Sequence, residues 1–381
     1  MSSTGSESDT SRATGRSRIA LLPGDGIGVE VTNEARRVLE WIAERDASVG
    51  LDFTQFDWGS DYFIRHGRMM PDDGLDRLEK FDAILLGAVG DPRVPDDVTL
   101  WGLLLPIRQR FHQYVNLRPI RLLEGVPTPL AHRQPGDVDM LIVRENSEGE
   151  YAGQGLFINQ GTPAETALQI AVFSKIGVER ILRYAFTLAR ESGLSVTSVS
   201  KANALNYSGV FWDRVLDEVQ TDYPDVPCRR LLVDAAALHM VLDPTSFDIV
   251  VGSNLFGDIL SDLGAGLVGG LGLAPSANLN PERRYPSMFE PVHGSAPDIA
   301  GQNLANPLAA IWAAAMMLGH LGFPQWEKSI VGAIERLLAS GRARSRDLGG
   351  QSSTTQVTTE LLAELAASSL ASPSREEATE R

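Results

Sequence analysis

Short apolar runs that alternate with stretches of helical spacing predict an α/β protein with a largely parallel sheet at its core. Parallel strands are buried on both faces, so they read as continuous apolar segments, and each needs a crossover to reach the next. A second observation agrees: several runs end beside a charged side chain, at Lys201, Asp234 and Asp258, and chemistry gathers at such strand ends. Third, the last part of the chain is almost wholly helical in pattern.

Residues 18–22 predict the first strand, and 29–42 a helix with Val31, Ala35, Val38, Leu39 and Ile42 on one face. Residues 82–87 form a second buried strand. Helical spacing returns at 178–189, through Val178, Ile181, Leu182, Ala185 and Leu188. The β-branched run 194–199 leads to Lys201, 230–233 leads to Asp234, and 247–251 feeds a helix carrying Asp258. Helices follow at 307–318, 326–338 and 355–367. The early cluster Gly24-Asp25-Gly26-Ile27-Gly28 has the spacing G-x-G-x-G, one residue short of the dinucleotide fingerprint. It predicts a tight strand-to-helix turn instead.

The chain has 381 residues, 43% of them hydrophobic and 22% charged, enough for two domains and a large core. A formal net charge of −15 argues against nonspecific binding to nucleic acid or anionic lipid. One cysteine, Cys228, excludes an internal disulfide and suits a reducing cytoplasm. Residues 1–17 are rich in Ser, Thr, Gly and Arg with no apolar centre, and are expected to be a tail and no secretory signal. The most apolar stretch, 306–321, contains Asn306, Pro307 and His320, so no membrane span is expected.

Asp258 and Asp262 stand four apart on the predicted helix, which puts both carboxylates on one face about 5–6 Å apart. Their neighbours Leu255, Phe256, Ile259 and Leu260 are apolar, and two acids in such a setting need a partner. A divalent cation held by one or two carboxylates, with its remaining positions open to substrate oxygens, suits them. Arg108, Arg118 and Arg144 each follow an apolar run, and together read as a local basic patch for a small polyanion. Guanidinium forks bind carboxylates bidentately, so three of them beside a cation point to a di- or tricarboxylate. Downstream, the segment from Glu290 to Gly301 is the better nucleotide-loop candidate: Gly294 permits close backbone approach, His293 offers a ring, and Asp298 can accept from a ribose hydroxyl.

These motifs, with Asn116-Leu117-Arg118-Pro119, the run from Arg144 to Tyr151, and Lys201-Ala202-Asn203, occur in an order that resembles the β-decarboxylating dehydrogenases of 2-hydroxy acids. The resemblance covers about residues 18–365. It implies an isopropylmalate dehydrogenase-like two-domain fold, different from a standard Rossmann domain. Residues 18–113 and 269–365 would form the large domain, 114–268 the small one with an arm near 151–173, and 366–381 a tail. It further implies that Arg108, Arg118 and Arg144 clamp the substrate, that Tyr151 is the general acid, and that Lys201 with Asp234 handles the hydroxyl proton. Asp234, Asp258 and Asp262 would hold Mg²⁺ or Mn²⁺, with Lys201 and Asp234 reaching the site from the second subunit of a homodimer. Asn203, Glu290, His293, Gly294, Ser295, Ala296, Asp298, Ile299 and Asn306 would contact the cofactor. Asp298-Ile299 implies NAD, since a carboxylate there repels the 2′-phosphate of NADP. By the same resemblance Trp101, Leu104 and Leu105 face the substituent at C3 of the substrate. Trp101 is expected to fill the space an isopropyl group needs, which favours (R)-malate or tartrate over 3-isopropylmalate, while Leu103 and Pro106 depart from that branch.

Overall fold

The computed structural model describes residues 15–370. Its strands are β1 (Arg16–Gly24), β2 (Gly50–Gln55), β3 (Ala83–Ala88), β4 (Val115–Arg121), β5 (Asp139–Glu145), β6 (Gly149–Ile158), β7 (Thr166–Val172), β8 (Val196–Ser200), β9 (Cys228–Leu232), β10 (Ile249–Gly252), β11 (Pro275–Leu279) and β12 (Ser287–Pro291). Ten of them make one sheet in the order β2-β1-β3-β12-β11-β4-β5-β10-β8-β9, and β6 pairs with β7 in a separate hairpin. Two parallel blocks, β2-β1-β3-β12 and β5-β10-β8-β9, flank an antiparallel centre through β11 and β4. The largely parallel sheet is as predicted; the antiparallel centre is not legible in the apolar pattern.

The reason lies in what the central strands carry. In β3 every residue is buried, and the run Ala83-Ile84-Leu85-Leu86 is as apolar as a two-sided parallel strand requires. In β4 and β11 the buried positions include Asn116, Ser276 and Asn278. They satisfy one another: Asn116 Nδ2 donates to Ser276 Oγ at 2.7 Å and to Asn278 Oδ1 at 2.8 Å, and Asn146 Nδ2 donates to Asn278 Oδ1 at 2.9 Å. These bonds tie the two strands together beneath the charged groups of the site, with only Asn146 Oδ1 of the network left without a partner.

The helices follow their predicted faces. Gly28–Ala43 buries Val31, Ala35, Val38, Leu39 and Ile42. Lys175–Ser192 is capped by Ser174, whose hydroxyl accepts from Gly177 N, and ends at Gly193 with φ +68°. Leu308–His320 is buried almost all round, between the sheet and the helix Pro324–Ser340. One core combines the first and last parts of the chain, with Ile19, Leu39, Phe289, Leu308 and Leu337; another, with Val143, Ile181, Trp212 and Val251, belongs to the middle.

Two boundaries differ from expectation. β1 already begins at Arg16, whose Nε donates to Asp52 Oδ1 at 2.8 Å, and the last helix, Thr354–Leu370, continues past 366. The remaining tail residues, 1–14 and 371–381, lie outside the described residues. Arg118 sits within β4. The Gly24-Gly26-Gly28 turn is structural, as predicted: Gly24 and Gly26 adopt φ +69° and +55°, and a Cβ on any of the three would run into the backbone of Ala88, Ser295 or Pro23. Among the described residues no helix is long and apolar enough to cross a membrane.

Candidate active site

The register of the sheet brings the basic residues together. Asn116 on β4 lies opposite Arg144 on β5, and Arg118 follows two residues on, so both arginines project from adjacent strands. Arg108 comes from the helix Leu105–Arg110. All three are buried, and all three line one cavity of about 270 Å³, together with Leu100, Leu104, Leu105, Tyr151, Asp258, Glu290 and His293.

Arg118 and Arg144 are each fixed by more than one partner, and Arg108 by one. Arg108 Nη2 donates to Glu290 Oε1 at 2.8 Å, while its Nε, also buried, has no partner. Arg118 donates to Asn116 Oδ1 at 2.8 Å, Ser261 Oγ at 2.7 Å and Asp258 Oδ1 at 3.1 Å. Arg144 holds Asn254 Oδ1 through Nε at 3.0 Å and Nη2 at 2.7 Å, and pairs closely with Asp258. Gly257 permits that approach: a Cβ there would come within 2.6 Å of the Arg144 Cβ. Burial pushes the proton affinity of Arg118 and Arg144 down, and the neighbouring guanidiniums push it further, against the opposing pull of Asp258. Such a cluster is stabilised by added negative charge.

Asp258 and Asp262 occupy one face of the helix Asn254–Leu267, and both reach Arg118 Nη1, at 3.1 and 3.5 Å. Burial acts to raise the Asp258 carboxyl, but Arg144, Arg118 and Arg108 outweigh it and hold it below its ordinary value. Asp262 is raised, by burial first and by the charge of Asp258, with Arg118 opposing. Two like-charged oxygen donors, one of them strained by its neighbour, suit a hard divalent cation. Tyr151, on β6, donates its hydroxyl to Asp258 Oδ2 at 3.3 Å. Burial and the Asp258 charge push the phenol up, so it keeps its proton.

The predicted cofactor residues follow β12. His293 lines both the arginine cavity and a second one of about 200 Å³, which Ile27, Gly272, Ile299, Leu304, Asn306 and Asp347 complete. Burial pushes the imidazole down, so it is neutral; its Nδ1 lies 2.9 Å from Gly294 O, and its buried Nε2 has no partner. That orphaned ring nitrogen, on a residue that lines both hollows, fits a polar ligand atom, and a ligand reaching both hollows could supply it. Gly294 faces open space, Ala296 adopts φ +37°, and Ser295 O accepts from Ile27 N at 2.8 Å. Asp298 is exposed and lines neither hollow, whereas its neighbour Ile299 lines the second. Asn306 is buried, donating to Asp347 Oδ2 at 3.0 Å and accepting from Leu308 N at 3.1 Å.

Three predicted residues stand apart. Lys201 and Asp234 pair with each other at 2.5 Å, with the Asp234 side chain 66% exposed, and neither lines the cavity; Asn203 is exposed and lines neither hollow. Among the described residues no group of three or more His, Cys, Asp and Glu converges, so Asp234 does not join Asp258 and Asp262 within one chain. Trp101 is a correction. Residues 100, 104 and 108 are four apart and share a face along the π-helical turn Leu100–Leu104 and the helix after it, so Leu100 and Leu104 line the cavity with Arg108. Trp101 is turned one position away, against Gly153 of β6. Leu100 was missed, though its spacing from Arg108 was a readable signal. Leu103 is wholly buried in the core beside Met69 and Phe111, so its departure from the expected pattern lies outside the cavity.

A family model for isocitrate/isopropylmalate dehydrogenases matches residues 18–365. The chain is 52% identical over 348 residues to D-malate dehydrogenase (decarboxylating) of Escherichia coli, covering 89% of this chain and 96% of that protein. It is 49% identical over 349 residues to tartrate dehydrogenase/decarboxylase of Pseudomonas putida, covering 89% and 95%. Among solved structures, isocitrate dehydrogenase from Methylococcus capsulatus superposes with a TM-score of 0.83 at 36% identity, covering 92% of this chain and 99% of that one.

Proposed function

Because the chain belongs to the isocitrate/isopropylmalate dehydrogenase family, we propose that it is an NAD-dependent, metal-dependent enzyme that oxidises and decarboxylates (R)-malate or tartrate. The observation that carries this reading is the convergence of three buried arginines on one small cavity in a chain of net charge −15. Within the lining they share only Glu290 and Asp258, which leaves positive charge for a dicarboxylate. The named relatives act on tartrate and D-malate, substrates of that size and charge.

In this reading Arg108, Arg118 and Arg144 hold the two carboxylates of the substrate, and Asp258 with Asp262 holds Mg²⁺ or Mn²⁺. A cation held there would supply polarisation of the C2 hydroxyl, and NAD, which His293 and Asn306 would help to hold, would serve as the hydride acceptor. The Lys201–Asp234 pair of a second copy, adding Asp234 to the cation site, accepts the hydroxyl proton. The bond from C3 to its carboxylate then breaks, CO₂ leaves, and Tyr151 delivers its phenolic proton to C3. Asp298, exposed next to Ile299 of the second hollow, would disfavour the 2′-phosphate of NADP by like charge.

A second reading, 3-isopropylmalate, draws on the apolar wall of Leu100, Leu104 and Leu105 in the same cavity. NAD reduction measured with Mg²⁺ or Mn²⁺ over (R)-malate, the tartrates, 3-isopropylmalate and isocitrate separates the two. The highest kcat/KM is expected for (R)-malate or a tartrate; a higher value for 3-isopropylmalate overturns that assignment in favour of the second.

A further inference from the structure

Strand β6 carries Tyr151, yet the stretch around that residue is not held by its own hairpin. The ladder with β7 runs from Gln154 to Ile158, resumes only at Gly149, and skips the residues between: five steps along β6 match two along β7. A bulge of this kind re-aims a side chain and leaves the extra residues unpaired. Gly153, at φ +70°, makes the turn of the bulge. Opposite it stands the indole of Trp101: a Cβ at Gly153 would come within 2.5 Å of Cη2 and 2.9 Å of Cζ3, so the ring lies directly over the glycine. Trp101 itself belongs to the π-helical turn whose Leu100 and Leu104 line the arginine cavity.

We propose that Trp101 is a positioning residue for Tyr151: its indole, seated on Gly153, latches the bulged segment and sets the height of the phenol over the cavity. The inference rests on the reading of Tyr151 as proton donor. Besides the latch, the segment is tied by the Tyr151 hydroxyl on Asp258 and by Gln169 Nε2, which donates to Glu150 O at 2.9 Å. The first tie engages the metal-site carboxylate and the second lies on the far side of the tyrosine. The indole therefore packs on the last residue of the stretch 150–153 that the main-chain ladder skips. It also joins the apolar wall beside C3 to the group that protonates C3.

The proton step can be isolated. In D₂O, with the divalent cation and at a pH high enough to ionise part of the phenol, the Tyr151 phenolate takes a proton from C3 of bound pyruvate, the product from malate, the phenol so formed exchanges with solvent, and a deuteron returns to C3. No electron transfer is involved. Trp101→Ala is expected to lower this exchange and kcat together by about ten- to a hundredfold, the scale of a misplaced catalytic group, with the KM for (R)-malate unchanged. Trp101→Phe, which keeps an aromatic face over Gly153, is expected to recover most of both. Unchanged exchange in Trp101→Ala overturns the latch, as does a rise in KM with constant kcat, which would mark a direct substrate contact. A substrate-independent readout separates this from the functional reading: 3-fluorotyrosine at position 151 gives a ¹⁹F resonance, expected to shift or broaden in Trp101→Ala and to return in Trp101→Phe. An unaltered resonance overturns the latch whatever the protein's substrate is.

Discussion

Asp258 and Asp234 are both aspartates in the first turns of a helix that follows a parallel strand, and each is paired with a cation, yet they are held in opposite ways. Asp258 is two-thirds buried and touches two guanidiniums, which are themselves tied to Asn116, Asn254 and Ser261. Asp234 is mostly exposed and has one partner, the ammonium of Lys201, which holds its carboxyl below the usual value. The contrast follows from desolvation. A buried charge persists only where the fold supplies a fixed counter-charge and bonds for its remaining donors, so the arginine cavity is assembled within one chain. An exposed pair is screened by water, contributes little to stability and can exchange partners freely. The arginine cavity is thus pre-organised, and on the proposed reading the Lys201–Asp234 pair is the half that a second copy would meet.

The sharpest way to break the comparison is to remove one cation from each region. Arg144→Met strips Asp258 of its closest partner in a buried setting, and should cost about 3–5 kcal/mol in denaturant unfolding and one to three decades in kcat/KM. Lys201→Met should abolish turnover while leaving the unfolding midpoint where it was. Equal destabilisation by the two substitutions would show that burial does not divide the regions. A smaller effect on stability, still large on activity, is expected of Asp262→Asn: it removes a half-exposed oxygen donor and should weaken Mg²⁺ or Mn²⁺ dependence, read as a rise in the cation concentration that restores half-maximal rate. Full activity in excess chelator would contradict a metal site at this helix.

The smallest effect concerns Glu327, on Pro324–Ser340, whose side chain packs onto Gly319 of the neighbouring helix. Burial pushes its carboxyl up to about 7 against the opposing charge of Lys328, so it is the case of burial without a fixed guanidinium. Its folded pKa lies above its ordinary value of 4.5, so the folded state holds the extra proton and stability falls as pH rises from 4.5 through 7. Glu327→Gln should remove that decline: melting temperature about 2–4 °C above the parent at pH 8, and equal to it at pH 4. No difference at pH 8 would mean the carboxylate is compensated after all.

Much of this was readable from residues alone. The strands with continuous apolar runs and the helices with a single apolar face came through because burial on two faces or on one leaves those patterns. Asp258 and Asp262 came through because a four-residue spacing is a geometric statement. What stayed hidden depends on contacts between distant segments. β11 and β4 sit at the centre of the sheet with asparagines buried in them, and no local pattern separates a bonded buried Asn278 from an exposed one. Trp101 was assigned to the substrate by its place in the chain, but a helical turn moves adjacent residues about 100° apart, so its neighbours Leu100 and Leu104 face the cavity instead.

A complementation experiment tests the division of the site most directly. Lys201→Ala and Asp258→Asn, each inactive alone, are mixed, unfolded and refolded together, and heterodimers are verified by mass. If each site combines the arginine cavity of one chain with the Lys201–Asp234 pair of another, a heterodimer contains one intact site. Random pairing in a symmetric dimer then restores about a quarter of the parental rate. Verified heterodimers with no activity above either variant would contradict a site shared between two chains.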